Sequence, residues 1–321
     1  MSSMRATGPI ADLSYRNYDG PMHDLGMRWW VIAKMFMRMA IKKKGFWWWA
    51  LLSTMGYIFL SVVYYFMDAL QTRTPSFGSE GAQVNFLDRI VWKDQFYMAF
   101  NMAQLWLFFL ALLIGAGMIA ADSRANALLV YLSKPCSKFD YLFGKWLGMF
   151  MVLVIVTASP AIFFIGFTWL SYRQYGSWDS WILLKGLLLI TIPAILHSSV
   201  MIGLSSIAKQ PRMAGATYAG IYFLSLFIAG IATGLSMTGG ANNPGLRNFS
   251  YFSIDGIIGG ISKVVLNTDG GTNLVPTRNP NDNFGLAPPS GLFITIVFLA
   301  VCAIFLYLSW RKVRAVEVVG S

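Results

Sequence analysis

Charged side chains are scarce in this sequence of 321 residues. Asp, Glu, Lys and Arg together make up 12% of it and 56% is hydrophobic, whereas ordinary globular domains carry roughly 25% charged residues. A chain of this size with so little charge lacks the polar surface that keeps a protein in solution. The composition therefore indicates an integral membrane protein.

Cysteine, histidine and recognisable catalytic motifs are also nearly absent. The two cysteines, Cys136 and Cys302, lie far apart, so they predict neither a disulfide framework nor a metal cluster. The sequence contains no GxxxxGKS/T, HExxH, GxSxG or CxxC pattern, and these patterns mark phosphate-binding loops, metalloproteases, hydrolases and redox or zinc sites. We expect no catalytic residue, metal or cofactor in this chain, and we predict that it is not an enzyme by itself.

Long hydrophobic runs are what the sequence does contain. A helix crosses the hydrocarbon core in about 20 residues. Six stretches qualify: 46–67, 96–121, 146–170, 181–208, 213–236 and 290–310. The predicted fold is therefore an all-α integral membrane protein with six transmembrane helices, in a transmembrane domain at 46–310.

Lysine and arginine are distributed unevenly between the predicted connections. If the N-terminus is cytoplasmic, the inside segments have more than twice the Lys and Arg density of the outside segments. Cytoplasmic loops carry this excess, so both termini are predicted to be cytoplasmic, with polar tails at 1–26 and 311–321. Because the basic residues follow this topology and do not gather on one soluble domain, we expect no nucleic-acid partner.

An amphipathic basic helix is predicted directly before the first span, at residues 27–45. Its basic residues fall within an arc of about 120° and apolar residues cover much of the rest. These basic residues are Arg28, Lys34, Arg38 and Lys42. The next stretch, IKKKGFWWWALLS at 41–53, places the lysine run 42–44 at the lipid headgroups and three tryptophans at the interface. We interpret 27–45 as an elbow helix on the cytoplasmic face of the lipid bilayer, either a simple anchor or a docking element for a partner.

The longest connection, at 237–289, is predicted to lie outside the cytoplasm. It is rich in Asn, Gly, Pro and Thr, but it contains an apolar stretch at 249–265 that is too short to span a bilayer. We predict an extracytoplasmic re-entrant hairpin here, before the last span.

Few polar residues lie inside the predicted spans. Asn101 and Gln104 form a pair near the outer end of the second span, and His197 lies in the fourth. Each is a candidate to line a transport pathway. Equally, the amide pair can hold helices together, and His197 can bond a carbonyl freed by Pro193 or a polar group of a neighbouring helix. No Asp or Glu lies well inside a span, so energy for uphill transport would have to enter through a partner.

Small residues in the fifth span indicate a helix that can pack closely on another chain. The candidate dimer-packing residues are Ala216, Gly220, Gly230 and Gly234.

The connection between the second and third spans is the best place for a partner to attach. A short helix is predicted from Ala125 to Leu132, ending before Pro135 because proline disfavours helical conformation in the preceding residue. Ser137 is the expected N-cap of the next helix, with Asp140 completing a capping box. A short helix held between two spans can transmit a push from a partner, or it can be a rigid turn without one.

The same connection carries a specific set of residues. They are Asp122, Arg124, Ala127-Leu128, the run Tyr131-Leu132-Ser133-Lys134-Pro135, Ser137-Lys138, Tyr141 and Gly144-Lys145. Together they resemble the signature segment of ABC-2 family permeases, the membrane subunits of bacterial ATP-binding-cassette exporters. The six spans, the elbow helix and the outer hairpin resemble the same family, so the resemblance covers essentially the whole chain.

The resemblance implies partners and coupling residues. The segment 122–140 and the elbow helix would pack on a separate ATP-binding subunit, present in two copies, which would hold ATP and Mg. A second permease chain, identical or homologous, would complete the pathway in the bacterial cytoplasmic (inner) membrane. The implied ATPase-coupling residues are Asp122, Arg124, Leu128, Leu132, Pro135, Lys138 and Lys145.

Two functions remain open at this point. The first is ATP-driven export of a substrate that the sequence does not identify. The alternative is a membrane assembly or structural protein that has the same fold and does not itself transport a solute.

Overall fold

The computed structural model describes residues 27–73, 86–125, 137–238, 248–270 and 288–313, and these ranges are mostly α-helical. The helices are α1 (Arg28–Ile41), α2 (Phe46–Arg73), α3 (Trp92–Gly115), α4 (Ala120–Arg124), α5 (Lys138–Tyr172), α6 (Ile182–Ile207), α7 (Pro211–Thr238), α8 (Ile254–Leu266) and α9 (Gly291–Lys312). A short 3-10 helix, Phe86–Arg89, precedes α3.

Six segments are long and apolar enough to cross a membrane, which confirms the predicted fold class. They are Phe46–Leu70, Trp92–Arg124, Lys138–Tyr172, Ile182–Ile207, Pro211–Leu235 and Gly291–Lys312. The third begins earlier than hydropathy alone predicts because a capping box starts α5. Asp140 N donates to Ser137 Oγ at 3.0 Å and Ser137 N donates to the Asp140 carboxylate at 3.1 Å, so the predicted cap is confirmed.

Helix α6 lies at the centre of the bundle. In its most apolar part 72% of the residues are buried, against 22% in α7 and 17% in α9. It packs against α3, α5, α7, α8 and α9. The outward sides of α2, α7 and α9 carry exposed Leu, Ile and Phe side chains, as expected of helices that contact lipid or another chain.

The second span, predicted as one helix at 96–121, is interrupted between α3 and α4. Ser205 of α6 satisfies the backbone at this break: its hydroxyl oxygen accepts from the N–H groups of Ile119 at 2.9 Å and Ala120 at 3.0 Å. The same hydroxyl donates to the Ala116 carbonyl at 3.1 Å. Inside a membrane these groups have no water to bond, so Ser205 makes the break tolerable.

Helix α1 packs closely on the first part of α5. A Cβ added to Gly144 would lie 2.6 Å from the Trp29 carbonyl oxygen, and one added to Gly148 would lie 2.9 Å from the Ala33 carbonyl oxygen. Phe36 is buried on the same side of α1. A helix is therefore present at the predicted elbow position, held by two glycines of α5, while its place on a membrane surface stays a prediction.

Helix α8 occupies the predicted hairpin region and does not span the bundle. Its N-cap is Ser253, whose Oγ accepts from Gly256 N at 2.9 Å, and it ends at Asn267 in the left-handed conformation. It is largely buried against α3, α6, α7 and α9.

Because successive spans run in opposite directions, their connections lie alternately at two ends of the bundle. The elbow end carries α1, α4, the start of α5 and the end of α9, and the α8 end carries the start of α3 and the end of α8. Which end faces the cytoplasm stays a prediction. The predicted helix Ala125–Leu132 lies outside the described residues except for Ala125, and so do Leu128, Pro135 and the tails at 1–26 and 314–321.

We predict that Gly144→Ala destabilises the protein, because the new Cβ meets a backbone oxygen that moves only if α1 moves. We expect a cost of about 1–3 kcal/mol, measured as a lower midpoint of thermal unfolding in detergent. Gly166→Ala is the control, since it lies on the same helix and its Cβ would meet nothing within 4 Å. That variant should keep or slightly raise the midpoint, because alanine favours helix over glycine. Equal losses in both variants would contradict the close packing of α1.

Candidate coupling site and buried polar row

Asp122 and Lys145, two of the predicted coupling residues, bond to each other. Lys145 Nζ lies 2.8 Å from Asp122 Oδ2, and the Tyr141 hydroxyl donates to the same oxygen at 2.8 Å. The Lys145 and Asp122 side chains are 5% and 20% exposed, so the protein largely encloses the pair. The bond joins α4, which precedes residues 126–136, to α5, which follows them. We call Asp122, Tyr141 and Lys145 the base cluster.

The elbow helix reaches the base cluster through Phe36. The Lys145 ammonium lies 5.9 Å from the centroid of the Phe36 ring and 5.7 Å from that of Tyr141. Cations are attracted to aromatic faces within about 6 Å. Helices α1, α4 and α5 therefore meet at one charged side chain.

Within the run 42–44, the Lys43 side chain bonds to the protein, while the position of this run at the headgroups stays a prediction. Lys43 Nζ donates to the carbonyl oxygens of Leu113 at 2.8 Å and Ile114 at 3.2 Å. The last carbonyls of a helix lack intrahelical donors, and the break after α3 leaves these two available to Lys43. Burial, with a smaller contribution from the charge of Lys145, lowers the pKa of Lys43.

Three of the four basic residues predicted on the elbow helix are exposed and follow one another by about one turn. They contribute to a groove of about 210 Å³ that is lined by Val31, Lys34, Met35, Arg38, Met39 and Lys42. The fourth, Arg28, is partly buried, and Arg124 at the end of α4 is exposed. Lys138 Nζ lies 4.6 Å from the centroid of the Trp310 ring, which connects the start of α5 with the end of α9.

His197 is fully buried and bonds to a neighbouring helix. Its Nδ1 forms a hydrogen bond with the Tyr218 hydroxyl of α7, so its partner is a side chain and not a carbonyl freed by Pro193. Its Nε2 is buried without a hydrogen-bond partner among the described residues. A role for His197 in a pathway stays a prediction.

Asn101 and Gln104 use their amide nitrogens within α3. Asn101 Nδ2 donates to the Tyr97 carbonyl at 3.1 Å, and Gln104 Nε2 donates to the Phe100 carbonyl at 2.9 Å. Their carbonyl oxygens remain to face other elements. The Asn101 oxygen lies 3.6 Å from where a Cβ on Gly259 of α8 would be, and Gln104 is 3% exposed.

Contacts between α3 and α8 follow an antiparallel register. The Thr268 hydroxyl donates to the Asp94 carboxylate, and the Lys263 ammonium lies 5.9 Å from the Tyr97 ring centroid. Burial lowers the pKa of Lys263 to about 8. From the α8 end inward, the pairs are Asp94–Thr268, Tyr97–Lys263 and Asn101–Gly259. We call these pairs the α3–α8 row.

Asp255, in the first turn of α8, is a partly buried acidic residue that the sequence alone did not single out. Its Oδ2 accepts from the Tyr222 hydroxyl at 2.7 Å, and the Tyr222 ring stacks on Phe108 with centroids 3.7 Å apart. Tyr222 and Phe108 lie near the middle of their spans, Pro211–Leu235 and Trp92–Arg124. A carboxyl group therefore reaches the middle of the bundle from a connection between spans. The available signal was an acidic residue within the apolar stretch before the last span.

The small residues predicted for dimer packing lie together on the exposed side of α7. At 100° per residue they fall within an arc of about 80°. They are Ala216, Gly220, Gly230 and Gly234, all exposed. A Cβ added to any of the three glycines would meet nothing within 4 Å in the described part of the chain, so this stripe is open to a partner helix.

These features define a multi-pass membrane protein with a bonded cluster at one end and a buried non-spanning helix at the other. Comparison with protein families identifies it further: the family described as ABC-2 family transporter protein matches residues 30–312. The chain belongs to this family, which confirms the resemblance noted in its sequence. Its members are membrane components of transporters, not themselves catalytic, and generally work with ATP-binding subunits. A comparison with curated proteins finds no match.

Removing one charge of the Asp122–Lys145 pair should destabilise the protein strongly. Lys145→Met leaves an enclosed carboxylate without its cation, which typically costs about 3–5 kcal/mol. Lys185→Met is the matched control, because Lys185 also bonds an aspartate, Asp179 at 2.5 Å, but is 30% exposed. We expect that control to cost at most about 1 kcal/mol.

Thermal unfolding of the purified variants in detergent measures both effects. Adding Asp122→Asn to Lys145→Met should restore part of the loss, since no charge is then unpaired. A double variant that loses as much as the two single variants summed would contradict a direct interaction.

We predict that Ser205→Ala loosens the break between α3 and α4. The substitution leaves two N–H groups and one carbonyl without their buried partner, at a cost of about 1–3 kcal/mol for such groups. Ser206→Ala is the neighbouring control, because its hydroxyl donates only to the Gly203 carbonyl of its own helix at 2.7 Å. Hydrogen exchange at residues 116–121 should accelerate in the first variant and not in the second. Unchanged exchange in both would show that Ser205 does not hold the break.

Proposed function

We propose that the chain is the permease subunit of an ATP-binding-cassette exporter in the bacterial cytoplasmic membrane, with its elbow end on the cytoplasmic side. A separate ATP-binding subunit, in two copies, hydrolyses ATP with Mg. A substrate that is not identified leaves towards the α8 end. Membership of the ABC-2 family supports this proposal, as does the excess of Lys and Arg in the segments assigned to the cytoplasm.

The observation that carries the proposal is the base cluster. Residues 126–136 connect α4 to α5 in the sequence, and the ion pair of Asp122 and Lys145, with 2.8 Å between Oδ2 and Nζ, joins these two helices on either side of that connection. A force applied to the segment by a partner therefore acts on both helices together, and through Phe36 on the elbow helix as well. Without this ion pair, the same force could move one helix relative to the other and would not act on both spans.

The predicted coupling residues differ in how far their side chains are exposed. Asp122 and Lys145 are enclosed and bond each other, so we assign them a positioning role within the permease. Arg124 is exposed beside them and is assigned to direct contact with the ATP-binding subunit.

The exposed groove of α1 supports docking over simple anchoring. Lys34, Arg38 and Lys42 alternate there with methionine side chains, which combine positive charge with adaptable apolar surface. We propose that an acidic face of the ATP-binding subunit contacts this groove. The buried side of α1 is fixed to α5 by Gly144 and Gly148, so movement of the docked subunit would be transmitted to a transmembrane helix.

The stripe on α7 supports a second permease chain. Its small side chains are exposed and open, and close backbone approach through small residues is a common way for helices to associate in lipid. We propose that two chains pair through α7. ATP binding would then shift the pair between arrangements with different substrate affinity, which is population shift by differential binding.

We predict that charge reversal at the elbow end releases the ATP-binding subunit. The tagged chain, purified in mild detergent, is expected to bring with it an ATP-binding subunit identified by mass spectrometry. The variant Lys34→Glu/Arg38→Glu/Arg124→Glu should lose it, because the exposed positive charges become negative. Arg173→Glu at the α8 end is the control for a charge change on an exposed arginine and should retain it.

Two results would contradict this proposal. If the control variant also loses the subunit, the contact is not at the elbow end. If no ATP-binding subunit accompanies the wild-type chain in any detergent, the membrane assembly protein is the better interpretation.

A further inference from the structure

The α3–α8 row extends one step deeper than its observed pairs. Along α8, Lys263 and Gly259 are one helical turn apart, and a further turn inward is Asp255. Along α3 the same step leads from Asn101 to Gln104 or Leu105. Leu105 is 36% exposed and Gln104 is 3% exposed, so the register favours Gln104 as the residue opposite Asp255.

A second set of contacts gives the same depth for Asp255. Its carboxylate accepts from Tyr222, whose ring stacks on Phe108. Phe108 lies one turn beyond Gln104 on α3. Asp255 is therefore held between the levels of Asn101 and Phe108, which is the level of Gln104.

Two oxygen atoms at this level have no donor. Asp255 Oδ1 and Gln104 Oε1 are both buried without a hydrogen-bond partner among the described residues. Turning the Gln104 amide over would place its oxygen beside the Phe100 carbonyl oxygen, which its Nε2 now contacts at 2.9 Å, so one pair of opposed acceptors would replace another. Two opposed acceptors repel each other, and in a membrane interior neither has water to bond.

We propose that Asp255 is a proton-binding site, with its carboxyl group protonated in the folded protein at neutral pH. The hydroxyl at Oδ1 donates to Gln104 Oε1, while Oδ2 accepts from the Tyr222 hydroxyl. The proton thus supplies the one missing donor and connects α8 to both α3 and α7. No carboxylate charge is then left in the middle of the bundle.

Among the described residues, no Lys or Arg contributes to holding the Asp255 carboxyl group in its ionised form. On α7 it faces Tyr222 and, further off, Tyr218, which bonds His197 of α6. On α8 itself Lys263 lies two turns away. Burial lowers the pKa of this lysine, and the negative charge of Asp269 partly opposes that effect. The facing part of α9, residues 291–301, contains no titratable side chain.

Burial favours the neutral form of the Asp255 carboxyl group. It raises the pKa of Asp255 above the ordinary value, with the Tyr222 hydrogen bond opposing it more weakly. A carboxyl group whose pKa is raised on folding favours the folded state below that pKa, and this contribution declines as the pH rises from the ordinary value through the raised one. Attachment of α8 should therefore weaken as the pH rises.

Infrared difference spectroscopy of the full chain in liposomes tests the proposal directly. A protonated carboxyl group has a C=O stretching band that a carboxylate lacks, and this band moves in D₂O. At neutral pH the wild-type spectrum should contain such a band, and Asp255→Asn should remove it. The asparagine keeps both bonds, since its Nδ2 donates to Gln104 and its Oδ1 accepts from Tyr222, so this variant should remain folded. Asp179→Asn, which removes a carboxylate bonded to Lys185, is the control and should leave the band intact.

A second variant tests the partner. Gln104→Leu removes the acceptor, so the band should shift to the higher frequency of a carboxyl group without that bond, and it should disappear at a lower pH than in the wild type. If Asp255→Asn removes no band at neutral pH, Asp255 is ionised and the proposal is wrong. If Gln104→Leu changes neither frequency nor titration, Gln104 is not the partner. Neither measurement requires the ATP-binding subunit, so the outcome is independent of the proposed transport function.

Discussion

The hydrocarbon core of a bilayer supplies no hydrogen bonds, so every polar group that this chain places there needs a partner from the protein. The structure meets that constraint with single side chains placed at defined defects. One serine, Ser205, serves three backbone groups where the second span breaks. Lys43 serves the two carbonyls that precede the break. The Tyr218 hydroxyl serves His197. Each of these three side chains thus bonds polar groups that would otherwise be unpaired inside the bundle.

The two ends of the bundle meet the constraint differently. At the elbow end the chain uses full charges, with Lys145 bonded to Asp122 and assisted by Tyr141. A buried ion pair is expensive to separate, so it suits a place where helices should move as one body. At the α8 end the Thr268 hydroxyl bonds the Asp94 carboxylate by a single hydrogen bond. Such a bond costs less to break than a buried ion pair.

The sequence predicts the spans well because span length and apolar composition are local properties. The cap formed by Ser137 and Asp140 is local too, and it was predictable for that reason. Pairs that depend on packing were not: Lys43 bonds carbonyls some 70 residues further along the chain, and only the fold brings them together. Gly144 and Lys145 stood out only by family resemblance, whereas the structure gives each a physical reason, close approach of α1 and bonding to Asp122.

Helix α3 connects the two ends of the bundle, because it has contacts along its whole length. Its 24 residues extend about 36 Å, with the contacts to Lys43 and Ser205 at the elbow end and the α3–α8 row along the half nearer the α8 end. A displacement of α4 can either bend the break at 116–119 or carry α3 with it. The three hydrogen bonds to Ser205 oppose bending, so such a displacement would be transmitted to α3 and from there to α8. Asp255 lies where that contact reaches the middle of the bundle. If α3 moved past α8 by one turn there, a different residue of α3 would face its carboxyl group.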